Sequence, residues 1–303
     1  MKQIFTNLLF CTLLVWLASC GNTKRMGATK ARLGTVKETQ LKEAGEVNAI
    51  AIKGDTKFKE QKIDSNINVR LKRKMDSLMR IMDSVRTETA TLDSLLLEKK
   101  NFRASTYKKI ILPKLEALEG FNASQNKRMQ AYMMLQDGLD ISSYILFDLA
   151  AFFGPGKYSI PEDKVELART SFSPLVDSII QFSNKYKNLS RAATLVILGF
   201  ADGTGFAEGS PINDTLLAKL GRTTASKQEL NGKLSELRAE ELIQLLTGEF
   251  VKKNNNIINR ETLQVEYLGR GKGEQFPLNK INDYKEDDER RRVVLCYWSV
   301  LPN

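Results

Sequence analysis

The chain has 303 residues, room for about two domains of ~150 residues each, and its 42% hydrophobic and 27% charged content with only 7 Pro excludes collagen-like and wholly disordered classes. Its 46 Lys and Arg against 36 Asp and Glu leave a net charge of +10, which favours anionic surroundings such as nucleic acid, anionic lipid or acidic polymers. It contains no histidine, so Ser-His-Asp and Cys-His catalysis, His-ligated zinc and a His proton shuttle are excluded together.

Residues 1–20 read MKQIFTNLLFCTLLVWLASC. Lys2 is a minimal positive start, and residues 4–17 form an apolar stretch too short for a comfortable bilayer span of ~20 residues. That is the pattern of a cleaved secretory leader. Leu17-Ala18-Ser19-Cys20 resembles the lipobox of bacterial lipoproteins. The resemblance implies a signal peptide over 1–19 and a diacylglycerol on Cys20; the alternative is an ordinary leader with a chance cysteine. Gly21, rather than Asp, follows the cysteine, which by the same resemblance implies retention at the outer membrane, facing the periplasm. Cys296 is then the only other thiol of the mature chain. It cannot make an internal disulfide and is expected as a buried small hydrophobe. Residues 144–153 are a short apolar run interrupted by Asp148, so lipid is expected to hold the protein without a membrane span.

Residues 20–62 are polar and basic with weak periodicity, and read as a flexible tether. Their cations either touch anionic headgroups or are simply solvated. Residues 63–153 read as a helical spacer. Leu71, Met75, Leu78, Met82, Val85, Thr89, Leu92 and Leu96 recur at spacings of four and three, an a/d seam. Two readings of that seam stand: a coiled coil with a protein partner or a second copy, or an intramolecular helical hairpin. Pro113 is expected to start or kink a helix. Met129, Tyr132, Met133 and Leu135 form a face that suits either a partner or the core. Gly154-Pro155-Gly156 is the strongest breaker and marks the expected domain boundary.

From residue 157 strands and helices alternate. A short strand is expected at 158–161, an amphipathic helix over 165–186, and a buried strand at Leu195-Val196-Ile197-Leu198. A glycine-rich turn, Gly199-Phe200-Ala201-Asp202-Gly203-Thr204-Gly205, presents one carboxylate at the strand end. A second helix starts near Asn231 and runs to about Phe250, with strands over 263–268 and 293–300. The implied fold class is α+β, with helices covering one face of a single sheet.

Four segments resemble, in order, the OmpA-like peptidoglycan-binding family, which includes the Pal-type lipoproteins. They are Gly199-Phe200-Ala201-Asp202; Asn231 with Leu234-Ser235 and Arg238-Ala239; Gly273-Glu274 with Pro277; and Arg290-Arg291-Arg292-Val293. The resemblance covers about 157–303 and implies an OmpA-like α/β sandwich preceded by a helical or coiled-coil region. The ligand it implies is the diaminopimelate of the peptidoglycan stem peptide, with no cofactor and no metal. It implies that Asp202 accepts from the ammonium and that Arg238 grips the carboxylate bidentately, as lysine could not. Asn231, Leu234 and Arg291 complete the implied peptidoglycan-binding set, and Arg291 and Arg292 are expected to divide their roles between ligand and sheet. Taken singly, Asp202 reads as a turn residue capping its own backbone and Arg238 as a surface ion-pair partner.

Two departures stand out. Phe200 replaces the family's usual His, and residues 206–230 form an insertion between Asp202 and Arg238 in which Leu216, Leu217 and Leu220 suggest a short helix. The expected function is an outer-membrane tether to the cell wall. The alternative is an envelope scaffold whose helical region binds another protein. No nucleophile, metal cluster or Cys-His pair supports an enzyme, and a secreted chain is not expected to meet nucleic acid.

Overall fold

A computed structural model describes residues 2–148, 153, 156–277 and 285–303, with side chains from residue 21 onward apart from Asp148 and Glu289. The elements run α1 (Lys2–Lys59), α2 (Ser65–Leu96), α3 (Ala104–Thr106), a π-helix (Tyr107–Ile111), α4 (Leu112–Ala123) and α5 (Gln125–Ile141). Then come β1 (Tyr144–Asp148), α6 (Glu162–Lys185), β2 (Arg191–Gly199), α7 (Pro211–Leu220), α8 (Lys227–Lys252), β3 (Leu263–Gly271) and β4 (Val293–Pro302). Two compact units result: a helical unit of residues 1–52 and 72–132, and a sheet unit of residues 53–71 and 133–303. Among the described residues no helix is long and apolar enough to cross a membrane. The leader and Cys20 side chains lie outside the described residues, as do Gly154 and Pro155 of the expected boundary.

Of the stretch 20–62 expected as a tether, residues 20–59 are part of α1, and residues 20–52 of it lie in the helical unit. Seven of its buried positions, Thr29, Leu33, Val36, Gln40, Glu43, Val47 and Ile50, follow spacings of four and three, so α1 carries its own a/d seam. All eight seam positions of α2 are buried. Met82, Val85, Leu92 and Leu96 meet Leu33 and Val36 of α1, together with Phe102, Ile111, Leu115, Leu118 and Phe121. Between the two readings of the seam, packing within the chain is what these residues do. The polar seam position Glu43 is satisfied: Arg128 donates to both its oxygens at 2.7 Å and the Tyr132 hydroxyl donates at 2.8 Å. Pro113 sits at the start of α4, directly after the π-helix, so the proline coincides with the change in helical bonding there.

The sheet unit holds one four-stranded mixed sheet in the order β1-β4-β2-β3. β2 and β3 are parallel across the α7–α8 connection, while β4 is antiparallel to both β2 and β1. The fold class is α+β with a helical region. α6 and α8 pack on one face, where Trp298 meets Phe182 and Tyr267 meets Phe250. The alternate positions Thr194, Glu266 and Arg270 point to the other face. There Arg70 donates to Thr194 at 3.0 Å and pairs with Glu266, and Arg270 donates to Asn66 at 2.9 Å. Both faces are therefore covered at the centre, which explains why β2 and β4 are buried almost throughout. Two expectations change. Residues 144–148, read as helix, are the edge strand β1, so the sheet begins before residue 157. Residues 158–161, read as a strand, form none.

Candidate ligand site at the end of the central strand

The site lies where β2 runs into the turn 199–205 and meets α8, the loop after β3 and the start of β4. Close backbone approach builds it. A Cβ on Gly199 would stand 2.1 Å from the Ser235 carbonyl oxygen, and one on Gly271 2.4 Å from the Gly232 carbonyl oxygen. Only glycine lets α8 lie that near the strand ends. Ser235 then donates to the Gly232 carbonyl and accepts from the Gly273 N–H at 2.9 Å. The Ala201 N–H donates to the Gly273 carbonyl at 2.8 Å, tying the Asp202 turn to the loop after β3.

Asp202 is buried. Its Oδ1 accepts from the Thr204 N–H at 3.0 Å and its Oδ2 from Arg292 Nε. Burial pushes its carboxyl upward, but the Arg292 and Thr204 bonds outweigh this and hold it below the usual carboxylate value. Arg238 is 1% exposed. Its Nε donates to the Lys157 carbonyl at 3.0 Å and its Nη1 to the Phe200 carbonyl at 3.5 Å. The Phe153 ring lies 5.8 Å from its guanidinium carbon. Burial lowers its pKa to about 10, against the favourable pull of nearby Asp202, so it remains a cation at neutral pH. Among the described residues its Nη2 has no hydrogen-bond partner and no carboxylate bonds to it.

The other expected residues fall as follows. Asn231 Nδ2 donates to the Thr204 carbonyl at 3.0 Å and to Glu274 at 2.8 Å, while its buried Oδ1 is unpartnered. Arg291 donates to the Glu274 carbonyl at 2.5 Å and lies over Phe276, and its buried Nε is unpartnered. Arg292, not Arg291, is the partner of Asp202. Leu234 is not at the polar centre: it packs with Leu216, Leu230 and Leu237 against the inserted segment. Phe200 is buried. Two further residues close over the turn, Lys227 and Glu286. Lys227 pairs with Glu286 and donates to the Gly203 carbonyl at 3.0 Å, and the Glu286 carbonyl accepts from the Gly203 N–H at 2.6 Å.

The insertion is ordered by local rules. α7 starts with Ser210 as N-cap and Pro211 behind it, and ends at Gly221 in a left-handed conformation. α8 opens on a capping box of Ser226 and Glu229. Beside the turn the insertion leaves an open pocket of ≈ 420 Å³, lined among others by Phe206, Glu208, Asn213, Thr223 and Lys227. Among the described residues no cluster of three His, Cys, Asp or Glu could hold a metal ion. The arrangement is a polar cluster in which Arg292 pairs with Asp202, while among the described residues Arg238 and Arg291 bond backbone carbonyls and no carboxylate, suited to holding a ligand that carries an anionic group.

No family model and no curated protein matches the chain. Among solved structures, a MotB-like protein from Desulfovibrio vulgaris is similar at 18% identity with a TM-score of 0.30, over 52% of this chain and 72% of that one. Similarity at that level assigns neither family nor ligand.

Proposed function

We propose that the chain is a lipid-anchored envelope protein that binds peptidoglycan noncovalently. Its sheet unit grips the diaminopimelate of the stem peptide, and the lipid on Cys20 holds the outer membrane. The observation that carries this reading is the convergence of Asp202 and the buried, carboxylate-free Arg238 at the end of β2. Diaminopimelate ends in an ammonium and a carboxylate side by side. A carboxylate reaching Arg238 would supply the anion that this buried cation lacks. Asp202 already accepts two hydrogen bonds, but each oxygen has a second lone pair, so an incoming ammonium still finds an acceptor. Arg292 then acts through Asp202 by fixing its rotamer and keeping it ionised. Holding the ligand breaks no bond, so the role needs no general base, and we assign no enzymatic activity and no cofactor.

The scaffold reading loses its simplest surface, because the α2 seam is occupied within the chain. The test is co-sedimentation of the full chain with isolated sacculi. The chain should pellet, and free diaminopimelate should release it. A chain that stays in the supernatant, or pellets with no response to diaminopimelate, refutes the reading.

A further inference from the structure

We infer that the end of the helical unit next to Cys20 is a docking surface for a bilayer rich in anionic phospholipid. Residues 22–32 of α1 are held against the segment 97–111. Arg25 donates to the Phe102 carbonyl at 3.0 Å, Met26 packs on the cluster containing Phe102 and Ile111, and the Thr29 and Tyr107 hydroxyls lie 3.5 Å apart. These two stretches hold nine Lys or Arg and one acid, Glu98. Glu98 is taken up by Lys100, and Arg32 by Glu119. Lys24, Lys30, Lys99, Arg103, Lys108 and Lys109 are exposed. Among the described residues none of the six has a carboxylate within ion-pair distance.

The same segment exposes two large apolar side chains, Leu97 at 84% and Ile110 at 45%. Cations around exposed apolar groups are the make-up of a surface that lies in a membrane interface. An acidic polymer would pair the cations but leave Leu97 and Ile110 in water. Position supports the same occupant. α1 runs unbroken from Lys2 to Lys59, so Lys24 is about 6 Å and Lys30 about 15 Å beyond Cys20 along the axis. That is comparable with the Debye length of ~10 Å over which an anionic surface attracts basic groups. Lipid on Cys20 would hold this end of the unit within reach of the headgroups.

The test reconstitutes the full chain with vesicles of phosphatidylglycerol and phosphatidylethanolamine, and separately with phosphatidylcholine, and reads lysine acetylation by mass spectrometry. On anionic vesicles Lys24, Lys99, Lys108 and Lys109 should label at least about fivefold less than on neutral ones, and high salt should restore them. Lys42, exposed on α1 and about 18 Å further along than Lys30, should label equally on both. Equal labelling of the basic end on the two vesicles, or equal protection of Lys42, overturns the proposal. A variant with Lys99→Glu, Lys108→Glu and Lys109→Glu, all at exposed positions, should keep the circular dichroism spectrum and lose the anionic preference; keeping that preference also overturns it. The proposal takes its orientation from lipid on Cys20, and the two fail separately. A chain that does not float with neutral vesicles counts against the anchor. A chain that floats without lipid-selective protection counts against the docking surface.

Discussion

Asp202 is the residue on which most of the site's electrostatics turn. Its carboxyl is held below the usual range by Arg292 and the Thr204 N–H, against the opposing push of burial. A depressed folded pKa stabilises the protein above the unfolded value of ~3.9, and that contribution disappears as pH falls through the folded value. Thermal unfolding followed from pH 7 downward should therefore lose stability below about pH 4. Asp202→Asn should lower stability at pH 7 by about 1–3 kcal/mol and remove part of the acid-induced loss; an unchanged acid limb would mean that the pair carries no linkage. Sequence alone placed a carboxylate here and, of the neighbouring arginines, put Arg291 in the binding set, whereas Arg292 is the one paired with Asp202. Arg291 and Arg292 are the same residue type in the same motif. The backbone separates them: Arg291 ends a short 3-10 helix and turns to the 274–276 loop, while Arg292 faces the turn. Leu234 was equally opaque, because its partners come from an insertion outside the motif.

At the scale of elements, legibility followed how plainly one rule governed each segment. Leu195-Val196-Ile197-Leu198 is covered on both faces and reads as a continuous apolar run. The α2 seam is apolar at seven of its eight places and shows at once. The α1 seam stayed hidden because Thr29, Gln40 and Glu43 stand where apolar residues would mark it. Glu43 is tolerable there because another helix supplies Arg128 and Tyr132, and the Thr29 hydroxyl donates to the Arg25 carbonyl of its own helix. β1 was hidden for a different reason: a short apolar run after a helix reads the same for helix and strand. The start of α8 carried an overlooked signal, the Ser-x-x-Glu capping box at Ser226. Two stability predictions belong here. Glu43→Ala would leave Arg128 without its carboxylate and should cost about 3–5 kcal/mol. Gly271→Ala would drive a methyl into the Gly232 carbonyl and should cost about 1–3 kcal/mol or more. Chemical denaturation measures both, and a neutral result for either would show that the helices shift freely at that contact.

At the scale of the whole chain, the proposed function joins a lipid at one end to a ligand site in a separate compact unit. The sheet unit draws on residues 53–71 and on β1 as well as on everything after residue 157. A fragment cut at 157 would lose an edge strand and the Arg70 and Asn66 contacts on one sheet face, so binding experiments need the full chain. Anchoring makes its own prediction. Cys20→Ala should move the protein from the membrane fraction and abolish incorporation of labelled fatty acid; persistent labelling would place the lipid on another residue, and a wild type that takes up no label would refute the anchor.

The most direct test of the account is calorimetric titration of the full chain with a soluble muropeptide containing diaminopimelate, wild type beside Arg238→Lys and Asp202→Ala, each checked for an unchanged fold. Lysine keeps the charge at residue 238 but removes the guanidinium fork. The account predicts that the wild type binds, that Arg238→Lys weakens binding at least about tenfold through loss of the bidentate charge-assisted pair, and that Asp202→Ala weakens it further. A wild type that does not bind, or an Arg238→Lys variant that binds equally well, would contradict it.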